Sequence, residues 1–149
     1  MNIRTALTVI WLGSFTLALV LCEALFFRTN ADGIPFLLPH DRIDIYKTLA
    51  SIYGANLGAI IAAWYAKPFP AMRGQALVTA AQRLAISLTL LYNLLLLYMI
   101  GQPHWSYTEQ VGVVLDRART IGLVLVFLVA PVNVYFFGIK AGKSNGSST

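Results

Sequence analysis

Apolar residues in this chain come in long unbroken stretches, not in the alternation of a strand or the half-apolar stripe of a soluble helix. Four such stretches stand between polar or Pro/Gly-containing breaks, at about 5–27, 41–66, 75–100 and 108–137. A helix rises ~1.5 Å per residue and the hydrocarbon core of a bilayer is ~30 Å thick, so about 20 residues suffice to cross it. Each stretch is long enough. A membrane barrel would instead need alternating segments of about ten residues, which the chain lacks. The breaks carry ordinary helix punctuation. Pro35 and Pro39 interrupt the first loop ahead of Asp41, which is placed to cap the second helix, and Lys67-Pro68-Phe69-Pro70 ends that helix. Gly101-Gln102-Pro103 stops the third, and Thr108-Glu109 suits the start of the fourth, whose uncharged part is 120–137.

The expected fold is therefore all-α: a polytopic membrane protein with four transmembrane helices in a single domain, 1–137, followed by a flexible Gly/Ser/Lys-rich tail at 138–149. Asn2-Ile3-Arg4 before an apolar run also resembles the opening of a signal peptide. The run 6–22 exceeds the about 7–15 residues of such a region, and Leu21 ahead of Cys22 is wrong for lipoprotein cleavage, so the first stretch reads as a retained span.

Composition supports this reading. The chain has 149 residues, 58% hydrophobic and 11% charged, against roughly 45–50% and about 25% in soluble domains. Lipid must cover the excess. Cys22 is the only cysteine, so no disulfide framework exists.

Lys and Arg accumulate in short cytoplasmic loops. With both termini inside, Arg4, Lys67, Arg73, Arg83, Lys140 and Lys143 fall on the cytoplasmic side without a single acid. Arg28, Arg42, Lys47, Arg117 and Arg119 fall outside with all six acids. The sides carry +6 and −1, together the chain's +5, and the N-in, C-in orientation follows. The inner basic face of Lys67, Arg73, Arg83, Lys140 and Lys143 suits anionic lipid and not nucleic acid. Trp11, Trp64, Trp105, Tyr65, Tyr98 and Tyr107 fit interfacial belts.

Within the spans, Ala50, Gly54, Gly58 and Ala62 recur every fourth residue, a spacing that lets helix backbones approach closely, inside the bundle or between copies. Asn56, Gln82, Thr89, Asn93 and Asn133 are polar residues in apolar surroundings. They read either as interhelical hydrogen bonds or as a polar path for water and ions. Glu23, Asp116, Arg117 and Arg119 form an outer charged rim, with Lys47, Arg28 or Arg119 available to neutralise Glu23 and Asp116 able to pair with Arg119. Arg83 can snorkel, and Pro131 would kink the fourth helix.

Catalytic material is sparse. His40 and His104 lie in outer loops beside Pro39 and Pro103, and no phosphate loop, zinc spacing or nucleophile elbow is present. No catalytic, cofactor or metal residue is expected, and the chain reads as a non-enzyme.

Arg28 followed by Gly33-Ile34-Pro35-Phe36, then Leu49-Ala50-Ser51-Ile52-Tyr53-Gly54 leading into a Gly/Ala/Ile-rich span, is similar to the RexB type of small four-span proteins. Those proteins belong to phage exclusion and bacterial antiviral defence, as does the membrane subunit of Kiwa systems. The resemblance implies a plasma-membrane effector or sensor that assembles into homo-oligomers, depolarises the membrane or recruits a cytoplasmic partner.

The leading expectation is a non-enzymatic multipass protein of the bacterial inner membrane, a homo-oligomeric pore or channel-like effector or sensor in antiviral defence. Its partners are the bilayer, further copies of itself, and a cytoplasmic or membrane protein. The alternative is an anchoring or scaffolding subunit that recruits a larger partner through its basic cytoplasmic face. It would conduct nothing alone.

Overall fold

A computed structural model describes residues 3–29, 33, 35, 37, 41–65, 75–105 and 111–137. Helix α1 is Ile3–Phe26, α2 Asp41–Tyr65, α3 Gln75–Gly101 and α4 Val111–Phe137, with a 3-10 turn at Gln102–His104 closing α3. Continuous apolar sequence gives long helices because a helix satisfies its own backbone hydrogen bonds, the condition set by lipid. Asp41 is the first residue of α2, and with Asp44 it places negative charge in the first turn, where the helix dipole favours it. The proposed start of the fourth helix at Thr108-Glu109 lies outside the described residues, as do Tyr107, His40 and the tail. Helix α4 continues through Pro131 to Phe137. Pro131 has no N–H, so the carbonyl four residues earlier, on Phe127, loses its usual partner.

Three of the helical segments, Ile3–Phe26, Ala80–His104 and Val111–Phe137, are long and apolar enough to cross a membrane. They point to a helical membrane protein. Helix α2 is as long but less apolar, since Asp41, Arg42, Asp44 and Lys47 occupy its first turns.

The helices pack α1 on α2, α1 on α3, α3 on α4 and α2 on α4, so the order around the bundle is α1, α2, α4, α3. Large apolar side chains point outward from three of them: Val9, Leu12 and Val20 on α1, Leu84, Leu91 and Leu94 on α3, and Val124, Phe127 and Val134 on α4. That is the surface acyl chains require.

Aromatic rings fill the middle. Trp11 is fully buried and packs edge-on against Tyr53 of α2 at 6.1 Å and tilted against Tyr92 of α3 at 5.6 Å. Trp11 is thus a core residue and not part of an interfacial belt, whereas Trp64, Tyr65, Tyr98 and Trp105 are exposed. Helix α4 meets this layer through Gly122, whose absent side chain lets α4 approach. A Cβ there would stand 3.2 Å from Leu96 Cδ2, 3.5 Å from the Tyr92 hydroxyl and 3.6 Å from Ile52 Cγ2.

Gly54 and Gly58 of α2 differ, because an added Cβ at either meets nothing within 4 Å. We expect Gly122→Ala to be the least favourable of the three substitutions, because Leu96 Cδ2 must yield by a few tenths of an ångström, which offsets the gain in helix propensity. Gly54→Ala and Gly58→Ala should be neutral or stabilising, as Ala exceeds Gly in helix propensity by up to ~1 kcal/mol. Circular dichroism during titration of the detergent-solubilised protein with a denaturing detergent measures the difference.

Candidate functional site

Buried polar side chains are the first candidates, because desolvating them in an apolar bundle costs free energy unless they are bonded. Asn133 Nδ2 of α4 donates to Asn56 Oδ1 of α2 at 2.6 Å, and both residues are buried. On α3, Asn93 Nδ2 donates to the Thr89 carbonyl at 2.8 Å, and the Tyr92 hydroxyl donates across to the Gly122 carbonyl at 3.1 Å. Asn56 with Asn133, and Thr89 with Asn93, thus form separate hydrogen-bonded units among the described residues. Gln82 is half-buried nearer the start of α3. Trp11 Nε1, the Tyr53 hydroxyl, Thr89 Oγ1, Asn93 Oδ1 and Asn133 Oδ1 are buried without a hydrogen-bond partner among the described residues. The layer therefore combines interhelical bonds with unused bonding capacity among the described residues.

The second candidate is the outer face of α2. Ile45, Leu49, Ile52, Tyr53, Asn56, Leu57, Ile60 and Ala63 point inward, which turns Ala50, Gly54, Gly58 and Ala62 outward, all exposed. The fourfold spacing left open whether these small residues pack within the bundle or between copies. A Cβ added at Gly54 or Gly58 meets nothing within 4 Å, while Ala50 borders an open groove beside Phe15 and Leu19 of α1. Ser51, Ala55 and Ala59 widen the same smooth face, and between Tyr46 and Ile61 no large apolar side chain of α2 is exposed. The other helices are clad in Leu, Val and Phe.

At the end of the bundle formed by the α1 C-terminus and the α2 N-terminus, Glu23 accepts hydrogen bonds from Arg42 Nη2 at 2.9 Å and from the Tyr46 hydroxyl. The expected neutralisers act elsewhere. Lys47 pairs with Asp44 at 3.1 Å, and Arg28 Nη1 donates to the carbonyls of Pro103 and His104 at 3.3 and 2.9 Å. Arg42 and Tyr46 were missed by sequence reasoning, although their i, i+4 spacing at the start of α2 puts both on one face toward the end of an antiparallel α1. Asp116, Arg117 and Arg119 are exposed on α4. Asp116 and Arg119, expected to pair, form no ion pair with each other among the described residues; the Asp116 carbonyl instead accepts the Thr120 hydroxyl at 2.9 Å.

His104 Nε2 lies 2.9 Å from the Leu21 carbonyl. A carbonyl only accepts, so Nε2 carries the proton. Among the described residues no group of three or more His, Cys, Asp or Glu side chains is placed to hold a metal ion. Of the inner basic residues, Arg83 is exposed on α3, while Lys67, Arg73, Lys140 and Lys143 lie outside the described residues.

The sequence matches no protein-family model, no curated protein and no solved structure.

The Asn56–Asn133 bond yields a direct test. Asn133→Leu strands the Asn56 amide in the core and should cost about 1–3 kcal/mol, whereas Asn56→Leu with Asn133→Leu should recover most of that loss. Stability of the two single variants and the double variant in detergent completes the cycle. Additive losses would mean that the pair does not couple α2 to α4.

Proposed function

We propose that this chain is a non-enzymatic multipass protein of the bacterial inner membrane. It crosses four times with both ends in the cytoplasm and acts as a homo-oligomer that forms or gates an ion-permeable path. The observation that carries the proposal is the outward face of α2. Lipid tails give apolar helices no net drive to associate, so membrane helices associate through close packing and polar contacts. A small-residue face without Leu or Val cladding packs better against another helix than against acyl chains. That face belongs to the helix least suited to lipid on its own. A neighbouring copy would shield it.

Unused bonding capacity at Thr89, Asn93 and Asn133 supports a polar route once copies assemble. The exposed charges of Asp116, Arg117 and Arg119 would stand at its mouth. The setting of antiviral defence rests on the resemblance of the first loop and second helix alone.

The same face would also accept a helix of a different protein, which supports the second reading, an anchoring subunit. The two readings part on one experiment. In the homo-oligomer, Gly54→Leu with Gly58→Leu leaves the fold intact, because a Cβ added at either position meets no other helix within 4 Å and both face outward, and converts the assembly to monomers that carry no current in planar bilayers. An unaltered oligomeric mass in native mass spectrometry would defeat the α2 interface. A wild-type protein that carries no current and co-purifies with a stoichiometric partner would favour the anchor. Recovery of that partner should then fall when Lys67, Arg73, Lys140 and Lys143 are neutralised.

A further inference from the structure

Helices α1 and α2 leave a groove on the outside of the bundle, with a cavity of about 480 Å³ lined by Phe15, Leu19, Glu23, Tyr46, Leu49 and Ala50. Its volume falls within the roughly 300–1,000 Å³ of small-molecule sites. Phe15, Leu19 and Glu23 follow i+4 steps along α1, a wall about 12 Å long at ~1.5 Å per residue. The wall is apolar until its last residue. There Glu23 meets Arg42 at 2.9 Å, and the pair is partly exposed at the end of the bundle. Arg42 is also held over the Phe26 ring, 4.6 Å from its centroid. An apolar trough closed at one end by a fixed pair of opposite charges matches a phospholipid in outline, chain first and dipolar headgroup last.

We infer that this groove binds a phospholipid whose headgroup carries a primary ammonium beside its phosphate. One acyl chain lies along Phe15, Leu19, Leu49 and Ala50, the ammonium donates to Glu23, and the phosphate accepts from Arg42. The inference rests on the reading of the bundle as membrane-embedded. Both groups have capacity to spare. A carboxylate offers about four lone-pair sites and a guanidinium five N–H donors, more than the Arg42 and Tyr46 contacts consume. Charge decides the headgroup. A trimethylated ammonium has no N–H to give Glu23, and a headgroup whose only charge is its phosphate leaves Glu23 unmatched and repelled. Exposed apolar residues on the same side of α1 as this wall, Leu12 with Val20 flanking it, mark this side as one that faces acyl chains. Helical partners prefer small residues, and beyond Ala50, which borders the groove, these continue away from it along α2 at Gly54 and Gly58.

The test uses the full chain in vesicles of equal parts phosphatidylethanolamine, phosphatidylcholine and phosphatidylglycerol, extracted in mild detergent and weighed by native mass spectrometry. The expected result is a single retained phosphatidylethanolamine per chain, favoured about tenfold over either competitor, the worth of one charge-assisted hydrogen bond. Glu23→Gln keeps one acceptor oxygen for Tyr46 or Arg42 and removes the negative charge, and should abolish the preference over phosphatidylcholine. Ala50→Leu, at an exposed position that lines the groove, should release lipid of every class with helix content unchanged. Retention without headgroup preference, or a preference that survives Glu23→Gln, overturns the inference. So does a dimeric mass free of lipid, which would assign the groove to a second copy. Protein that fails to float with the vesicles would overturn the membrane reading itself, and flotation is scored before any lipid is counted.

Discussion

Apolar helices in hydrocarbon have no net drive to leave lipid for one another, so every neighbouring pair in a membrane bundle needs a specific reason to touch. In this structure each pair has one. Helices α1 and α2 are joined at one end by the ion pair of Glu23 with Arg42, and at the other by Trp64 Nε1 donating to Thr8 Oγ1 at 2.9 Å. The turn that closes α3 is tied to α1 through His104 on the Leu21 carbonyl and through Arg28. Tyr92 bonds α3 to the α4 backbone, and Asn133 bonds α4 to Asn56 of α2. The polar links run around the bundle in the same order as the packing.

Such links are individually small, about 0.6 kcal/mol on average in membrane proteins. They specify partners more than they stabilise them. Packing supplies the remainder, and the layer of Trp11, Tyr53 and Tyr92 with Gly122 shows how. Trp11, Tyr53 and Tyr92 fill the centre, and Tyr92 reaches α4 where Gly122 contributes no side chain. The tyrosine that fills the space also donates to the buried carbonyl of that glycine, so close approach and hydrogen bonding depend on the same residue.

The helices were legible in the sequence because lipid imposes a requirement on every residue of a span, and that requirement appears as long apolar runs. Side-chain direction was less legible. Ala50, Gly54, Gly58 and Ala62 mark a face that permits close approach, but a four-residue period carries no sign for inward or outward. The sign was carried by the other residues of α2. Ile52, Tyr53, Asn56 and Ile60 supply its bulk and its buried amide on the opposite side, leaving no large apolar residue for the glycine face. Trp11 was misjudged for a related reason. Its distance from the helix end suits an interface as well as a core, and only contact with Tyr53 and Tyr92 distinguishes them. The partners of Glu23 depend on how α1 and α2 meet across a loop, which no pattern within either helix records.

Helix α2 therefore differs from its neighbours in two properties. It is the least apolar of the four, and its outer surface is the least like the interior of a bilayer. Its inner surface, by contrast, is fully engaged, with Tyr53 in the aromatic layer and Asn56 bonded to α4. A helix committed on one side and smooth on the other gains stability in lipid mainly by being covered. Any helix that covers it rests on the backbone of α2 at Gly54 and Gly58, one turn apart, with Asn56 between them in sequence and pointing the opposite way. Contact at the outer face would thus bear on the segment of backbone that positions the Asn56–Asn133 bond.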